Sequence, residues 1–117
     1  MNYPPEQVEE LKAYCSKLHY FEEAGFPYFR MGGLRLPTGC SPVEVEALYC
    51  PVDRGDGYPS RLFFLEPVSG PFSRNWHVSN LHIQGQNWTA YSWKVGVANP
   101  TLAVGLVELM KGLTRPQ

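Results

Sequence analysis

A nine-residue segment with alternating side-chain character gives the firmest indication of the fold. Within Pro42–Cys50, one side carries Val43, Val45, Ala47 and Tyr49. The other side carries Glu44, Glu46, Leu48 and Cys50. A period of two is typical of an extended chain with one buried face and one solvent face. The segment therefore predicts a half-buried strand of an antiparallel sheet.

Three further segments are predicted to be strands, which makes a sheet of about four. Phe26–Leu36 is rich in aromatic residues and is interrupted at Gly32-Gly33, where we expect a kink, a bulge or a tight turn. The other two segments are Arg61–Glu66 and Trp76–Ile83. The region 85–96 is predicted to be irregular or only weakly extended.

Two amphipathic helices are predicted at about residues 5–22 and 100–113. The first has Pro5 at its start and Gly25 beyond its end, and its apolar stripe consists of Val8, Leu11, Cys15 and Leu18. The second is expected to use Asn99 as its N-cap. Its stripe consists of Leu102, Leu106, Leu109 and Leu113. The element order predicts one α+β domain, residues 1–117, with helices packed on an antiparallel sheet.

Charge and composition exclude several classes of partner. The net charge is −1 and no basic cluster occurs, so neither nucleic acid nor a membrane surface is an expected partner. The acidic start lacks the apolar core of a signal peptide, and the three cysteines form no disulfide framework. We expect a cytoplasmic protein without a cofactor.

The charge-free stretch of residues 75–93, NWHVSNLHIQGQNWTAYSW, is the candidate functional region. It contains all three tryptophans and two of the three histidines. Such a composition is typical of a recognition surface or an active-site wall, although packing in the core explains tryptophans equally well. His77 and His82 would face opposite sides of a regular strand, so we expect no metal site there. The candidate partner-binding residues are Trp76, His77, His82, Trp88, Tyr91 and Trp93.

Several local sequences, taken in this order, resemble the ubiquitin-conjugating (E2-like, or UBC-like) superfamily. Leu34–Gly39 is similar to the first sheet hairpin of compact bacterial members, and Gly57-Tyr58-Pro59 is similar to the loop before a family strand. Asn75-Trp76-His77 stands in the place of the family's His-Pro-Asn turn without matching it. Trp88 falls where the family carries a tryptophan after its active-site segment. The resemblance implies a UBC-like fold with an N-terminal helix, a meander of about four strands and a C-terminal helix.

The same resemblance places the missing nucleophile. An E2-like enzyme carries its modifier as a thioester on a cysteine, whose thiolate is the nucleophile. In this chain that cysteine should fall near Leu81-His82-Ile83. No cysteine follows Cys50, so the catalytic residue is unknown. The resemblance thus implies a bacterial, non-thioester binding module whose partners are a ubiquitin-like protein, an E1-like activating enzyme or both, in a conjugation or antiphage defence system.

Two alternatives stay open. The chain is an active E2-like enzyme if a displaced Cys40 or Cys50 thiol, or a hydroxyl of Ser79, Thr89 or Ser92, serves as the nucleophile. For this alternative we expect Cys50 to be partly exposed and Cys40 to be exposed after its turn. The chain is otherwise an unrelated α+β subunit of a bacterial complex, in which the tryptophan-rich stretch is simply core.

Overall fold

Two helices and a curled six-stranded antiparallel sheet make up the described part of the protein. The computed structural model describes residues 2–72 and 78–115. It describes their side chains as well, except those of residues 78–80. The helices are α1 (Pro5–Leu11) and α2 (Leu102–Lys111). The strands are β1 (Lys17–Glu23), β2 (Phe26–Arg35), β3 (Glu44–Cys50), β4 (Arg61–Phe64), β5 (Val78–Ile83) and β6 (Gln86–Ala90). The α+β class predicted from the sequence is confirmed, but the predicted count of about four strands is wrong.

The sheet order is β1-β2-β3-β4-β6-β5. The first four strands pair consecutively, so they form a meander. The hairpin of β5 and β6 then extends the sheet through β6, which pairs with β4. The region 85–96, predicted to be irregular, therefore contains the strand β6.

The predicted first helix ends eleven residues too late, because α1 ends at Leu11 and Lys17–Glu23 is the strand β1. Aromatic contacts with β2 explain this difference: Tyr20 meets Phe29 edge-on at 5.2 Å, and Phe21 stacks on Tyr28 at 5.2 Å between ring centroids. These cross-strand pairs outweigh the weak local helix propensity of the segment. Gly25 does not end a helix but closes the hairpin of β1 and β2.

The predicted irregularity at Gly32-Gly33 is confirmed. The pairing register of β2 with β3 shifts between Met31 and Leu34, and Gly33 has a φ of 66°. A residue without a Cβ adopts this left-handed conformation without steric cost, so the bulge falls at the glycines.

The half-buried character predicted for β3 is confirmed in its first half, where Glu44 is exposed and Glu46 is partly exposed. It is wrong from Leu48 onward, where both faces are covered. Val45, Ala47 and Tyr49 face a first core beneath the helices. Leu48 and Cys50 lie in a second core on the opposite face. The physical reason is the curl of the sheet, which brings the β5–β6 hairpin across that face.

Polar contacts join the turn between β5 and β6 to the strands β1 and β2. The backbone N–H of Gln84, in the turn between β5 and β6, donates to the carboxylate of Glu23 at 3.1 Å. The guanidinium of Arg30 donates to Oε1 of Gln84 at 3.2 Å. The second core therefore lies between the meander and the hairpin, and its buried members are Tyr28, Leu48, Cys50, Phe63, Ile83, Trp88 and Ala90.

The C-terminal helix begins later than predicted. Thr101, not Asn99, is the N-cap of α2, and its hydroxyl oxygen accepts from the backbone N–H of Val104 at 3.4 Å. The predicted apolar stripe is confirmed, since all four of its leucines are buried in the first core. This stripe covers the face of the sheet that lies opposite the hairpin.

No helix in the two described ranges combines the length and the apolar character that crossing a bilayer requires.

Candidate functional site

The exposed end of the β5–β6 hairpin carries one of the predicted binding residues. His82 and Asn87 are exposed and lie opposite each other on the two strands. Nδ1 of His82 and Oδ1 of Asn87 are 3.1 Å apart. With Gln84 and Gly85 in the turn, they form a polar surface, which we call the hairpin end. The charged side chains of Glu23 and Arg30 border it through their hydrogen bonds to Gln84.

Trp88 lies on the same hairpin but points into the second core, where it is fully buried. Its indole N–H donates to the carbonyl of Ile83 at 3.0 Å, and the guanidinium of Arg30 lies 5.2 Å from the ring centroid. The apolar surface of Trp88 is therefore buried, and its indole nitrogen is already hydrogen-bonded inside the molecule.

Tyr91 turns to the opposite side and packs in the first core. Its ring stacks on Phe64 at 6.0 Å between centroids, and its hydroxyl donates to the carbonyl of Leu109 on α2. Tyr91 thus ties the end of β6 to the C-terminal helix.

Trp93 is half-buried and lies against the C-terminal end of α2. A Cβ atom at Gly112 would come within 2.5 Å of Cγ of Trp93, so the indole rests directly on the glycine backbone. The outer part of Trp93 joins Tyr58, Ser92 and Lys94 around a shallow depression of about 380 Å³.

The predicted binding residues therefore do not form one patch. Trp76 and His77 lie outside the described residues. Of the other four, Trp88 and Tyr91 are buried on opposite sides of the sheet, whereas His82 is exposed and Trp93 is half-buried. Only His82 and Trp93 offer side-chain surface to a partner, and their role in binding stays a prediction.

All three cysteines are buried, and none of them forms a disulfide. The expectation that Cys50 is partly exposed is wrong, because the curl of the sheet encloses it and leaves 0% of its surface accessible. Burial raises the pKa of its thiol to about 11. Burial also raises the pKa of Cys15. A thiol that is both enclosed and protonated at neutral pH is a poor nucleophile.

Cys40 is also buried, at 9% exposure, so the expectation that it lies exposed after its turn is wrong. The loop that carries Gly70 packs over it: a Cβ at Gly70 would lie 3.6 Å from Sγ of Cys40. Position after a turn glycine does not decide exposure when another loop covers the turn.

Among the residues that the structure describes, no three His, Cys, Asp or Glu side chains are grouped closely enough to hold a metal ion.

The sequence analysis missed a buried cation at the start of β4. Arg61 is 1% exposed and forms an ion pair with Asp56, Nε to Oδ2, at 3.0 Å. Its guanidinium lies 3.9 Å from the centroid of Tyr58 and donates to the carbonyl of Tyr91 at 3.2 Å. The signal in the sequence was an arginine at the start of an apolar strand, directly after a loop that contains aspartate.

A search of protein-family models, curated proteins and solved structures finds no match to this chain.

Proposed function

We propose that this chain is a non-thioester, E2-variant-like binding module that docks a ubiquitin-like protein, an E1-like activating enzyme or both. The observation that carries the proposal is the state of its thiols. No cysteine follows Cys50, and the three that exist are at most 9% exposed. Thioester transfer needs an accessible thiolate, so this geometry favours binding over conjugation.

The order of the elements supports the family part of the proposal. A short helix precedes four consecutively paired strands, and a helix closes the chain. The resemblance implies the same order of element types, but the segments differ. The strand β1 lies within residues 5–22, where a helix was expected, and β5 lies within Trp76–Ile83, which was expected to be the fourth strand of the meander. The β5–β6 hairpin stands between the meander and the last helix, where the resemblance implies the active-site segment.

The hairpin end is the surface that we propose for docking. His82, Asn87 and Gln84 are exposed there, and none carries a formal charge when the histidine is neutral. Neutral imidazole and amide groups both donate and accept hydrogen bonds, so they can recognise a backbone or polar side chains of a partner. The buried Trp88 beneath them keeps both strands in place.

The proposal is tested by titrating the ¹⁵N-labelled chain with candidate ubiquitin-like and E1-like proteins. We expect amide shifts centred on His82 and Asn87. The double variant His82→Ala, Asn87→Ala should weaken binding about fivefold or more, the effect of losing roughly 1 kcal/mol of contact. Lys12→Ala, at the exposed C-cap position that follows α1, is the control and should bind as the parent does.

A second measurement separates binding from catalysis. The chain is incubated with the E1-like enzyme, the modifier and ATP, and its intact mass is recorded. We expect no covalent adduct. An adduct that resists reductant but is cleaved by hydroxylamine would establish an oxyester on a displaced hydroxyl nucleophile. Absence of binding to both proteins would instead favour the unrelated α+β subunit.

A further inference from the structure

The strand β1 forms one edge of the sheet. It pairs with β2 on one side, and within residues 2–72 and 78–115 no strand lies on its other side. We call this free side the β1 edge. A free edge presents a row of backbone N–H and C=O groups to any chain that can extend beside it.

The turn of the β1–β2 hairpin fixes which backbone groups point to the β1 edge. Residues 24 and 25 form a two-residue turn, so the flanking pair of Glu23 and Phe26 exchanges both of its backbone hydrogen bonds. Bonded and non-bonded pairs alternate along an antiparallel ladder. The residues of β1 whose N–H and C=O groups face outward are therefore Leu18, Tyr20 and Glu22.

The β1 edge lacks the features with which folded proteins usually discourage pairing. The strand is 7 residues long, contains no proline, and keeps one register with β2 from Lys17 to Glu23. Its central residues, 18–21, carry no formal charge when the histidine is neutral. The other edge strand, β5, has a register shift in its pairing with β6. A long and regular edge such as that of β1 readily pairs with a further strand.

The three outward-facing residues are spaced symmetrically about Tyr20. A second copy of the chain in antiparallel orientation, with Tyr20 opposite Tyr20, places Leu18 of each copy opposite Glu22 of the other. Each of these pairs can exchange two backbone hydrogen bonds, because all of its N–H and C=O groups point toward the other copy. The edge is therefore complementary to itself in this register.

The charges at the two ends of β1 favour the same register. Lys17 stands opposite Glu23 of the second copy, and the two-fold symmetry repeats this pair at the other end. Both side chains project to the same face of the sheet, where opposite charges across two strands attract. In a parallel stack of copies Lys17 would meet Lys17 and Glu23 would meet Glu23, which repel. The charge pattern therefore favours a closed pair of copies over an open fibril.

The aromatic side chains of β1 extend across the same junction. Phe21 stacks on Tyr28 at 5.2 Å and on His19 at 6.2 Å between ring centroids. In the antiparallel register Phe21 faces His19 of the second copy in a non-hydrogen-bonded pair, the kind in which side chains approach most closely. The row of rings in one copy thus continues into the other.

We propose that β1 pairs with β1 of a second copy, antiparallel about Tyr20, and joins two six-stranded sheets into one continuous sheet. Two-fold pairing of identical edges is closed, so assembly stops at the dimer. The proposal does not depend on the E2-variant-like function, because no conjugation protein takes part. Its failure would leave the proposed docking function untouched.

Sedimentation equilibrium at about 1 µM to 1 mM protein covers the affinities expected of a small interface. We expect the mass to rise from 13.2 kDa toward twice that value as the concentration increases. Amide hydrogen exchange at Leu18, Tyr20 and Glu22 should slow over the same range, because pairing protects the outward N–H groups. A mass of 13.2 kDa at every concentration, or growth beyond the dimer, would overturn the proposal.

Two substitutions at the exposed Glu22 separate backbone pairing from side-chain effects. Glu22→Pro removes the outward N–H and keeps the bonds between β1 and β2. It should weaken dimerisation roughly tenfold or more, because symmetry removes one backbone bond from each copy. Glu22→Ala is the matched control. It removes the carboxylate that accepts from the Tyr20 hydroxyl but keeps the N–H, so it should dimerise as the parent does.

Charge exchange tests the register without altering the backbone. Lys17→Glu alone, and Glu23→Lys alone, places like charges opposite each other at both ends and should weaken self-association roughly tenfold. An equal mixture of the two variants sets lysines opposite glutamates and should associate as the parent does. Dimers that persist in Glu22→Pro and in both charge variants, or a mixture that does not recover, would contradict this pairing.

Circular dichroism establishes that each variant is folded before it is compared. Glu23→Lys also loses the bond from the backbone N–H of Gln84. If that variant does not fold, Glu22→Pro and Lys17→Glu decide the outcome by themselves, since both positions are exposed.

Discussion

At the scale of single residues, the environment of each cysteine decides its chemistry. Cys50 occupies a strand position whose alternate neighbours include Glu44 and Glu46, a pattern that predicts partial exposure. In the folded chain its Sγ lies 3.6 Å from the carbonyl of Val52 and no part of it reaches solvent. Burial disfavours the thiolate, so the same residue changes from a candidate nucleophile to a core residue.

The raised pKa of Cys50 predicts a loss of stability in alkali. Its pKa rises from the ordinary 9.0 to about 11 on folding. Below pH 9 the thiol is protonated in both states, but between these values only the unfolded chain releases the proton, which favours unfolding. At about 1.4 kcal/mol per pKa unit, we expect the free energy of unfolding to fall by roughly 2 kcal/mol from this group.

Urea unfolding followed at intervals from pH 8 to pH 11 measures this loss, since the range begins below the ordinary pKa and reaches the raised one. Cys50→Ala is the comparison, because it removes this thiol and leaves every tyrosine in place. Its free energy of unfolding should fall less steeply with pH. Parallel pH profiles would contradict the enclosed position of the thiol.

At the scale of elements, both hairpins depend on turns that the sequence signals weakly. Ala24-Gly25 and Gln84-Gly85 each form a two-residue turn with both φ angles positive. Asn-Gly and Asp-Gly are the strong signals for such turns, and neither stands at these two positions. The strands on either side, β1 and β6, were therefore missed, whereas the bulge at Gly32-Gly33 carried an explicit glycine signal.

A substitution at Trp88 tests how much the stability of the protein depends on the buried indole of the hairpin. Trp88→Phe removes the hydrogen bond to the carbonyl of Ile83 and leaves a smaller ring beneath Arg30 in a fully buried setting. We expect it to lower the free energy of unfolding by about 1–3 kcal/mol.

Trp93→Phe is the matched control, because Trp93 is half-buried and has solvent on part of its ring. It should cost less than half as much. Urea unfolding followed by far-ultraviolet circular dichroism measures both variants. Equal losses would mean that the indole of Trp88 contributes no more than that of a partly exposed residue.

At the scale of the whole molecule, one sheet serves two cores. The central strands β3 and β4 contribute alternate residues to each face, so the loss of either core removes the support of the other. A single domain of this size normally unfolds in one cooperative step. We expect the two cores to unfold together.

A pair of leucine substitutions tests this coupling. Leu106 is fully buried in the first core and Leu48 in the second. Leu106→Ala and Leu48→Ala should each lower the free energy of unfolding by about 2–5 kcal/mol. In both variants, circular dichroism and tryptophan fluorescence should report the same urea midpoint. Separate midpoints in Leu48→Ala would show that the hairpin side unfolds independently.

The sequence by itself determined the α+β class, the bulge in β2 and the leucine stripe of α2. Each depends on a local pattern: a period of two, a pair of glycines, or leucines spaced three and four apart. Local patterns fail for Lys17–Glu23, whose pairing with β2 depends on aromatic contacts with residues beyond the turn.

Only the tertiary structure decided which surfaces are open. The curl of the sheet buries Cys50 and Trp88, leaves His82 outside, and separates residues that are neighbours in the sequence. The cleft of about 630 Å³ between α1, the β3–β4 connection and residues 95–100 likewise joins segments that no sequence pattern relates. Burial follows from the packing of distant segments on each other, so the chemistry of these surfaces depends on contacts that a local pattern does not contain.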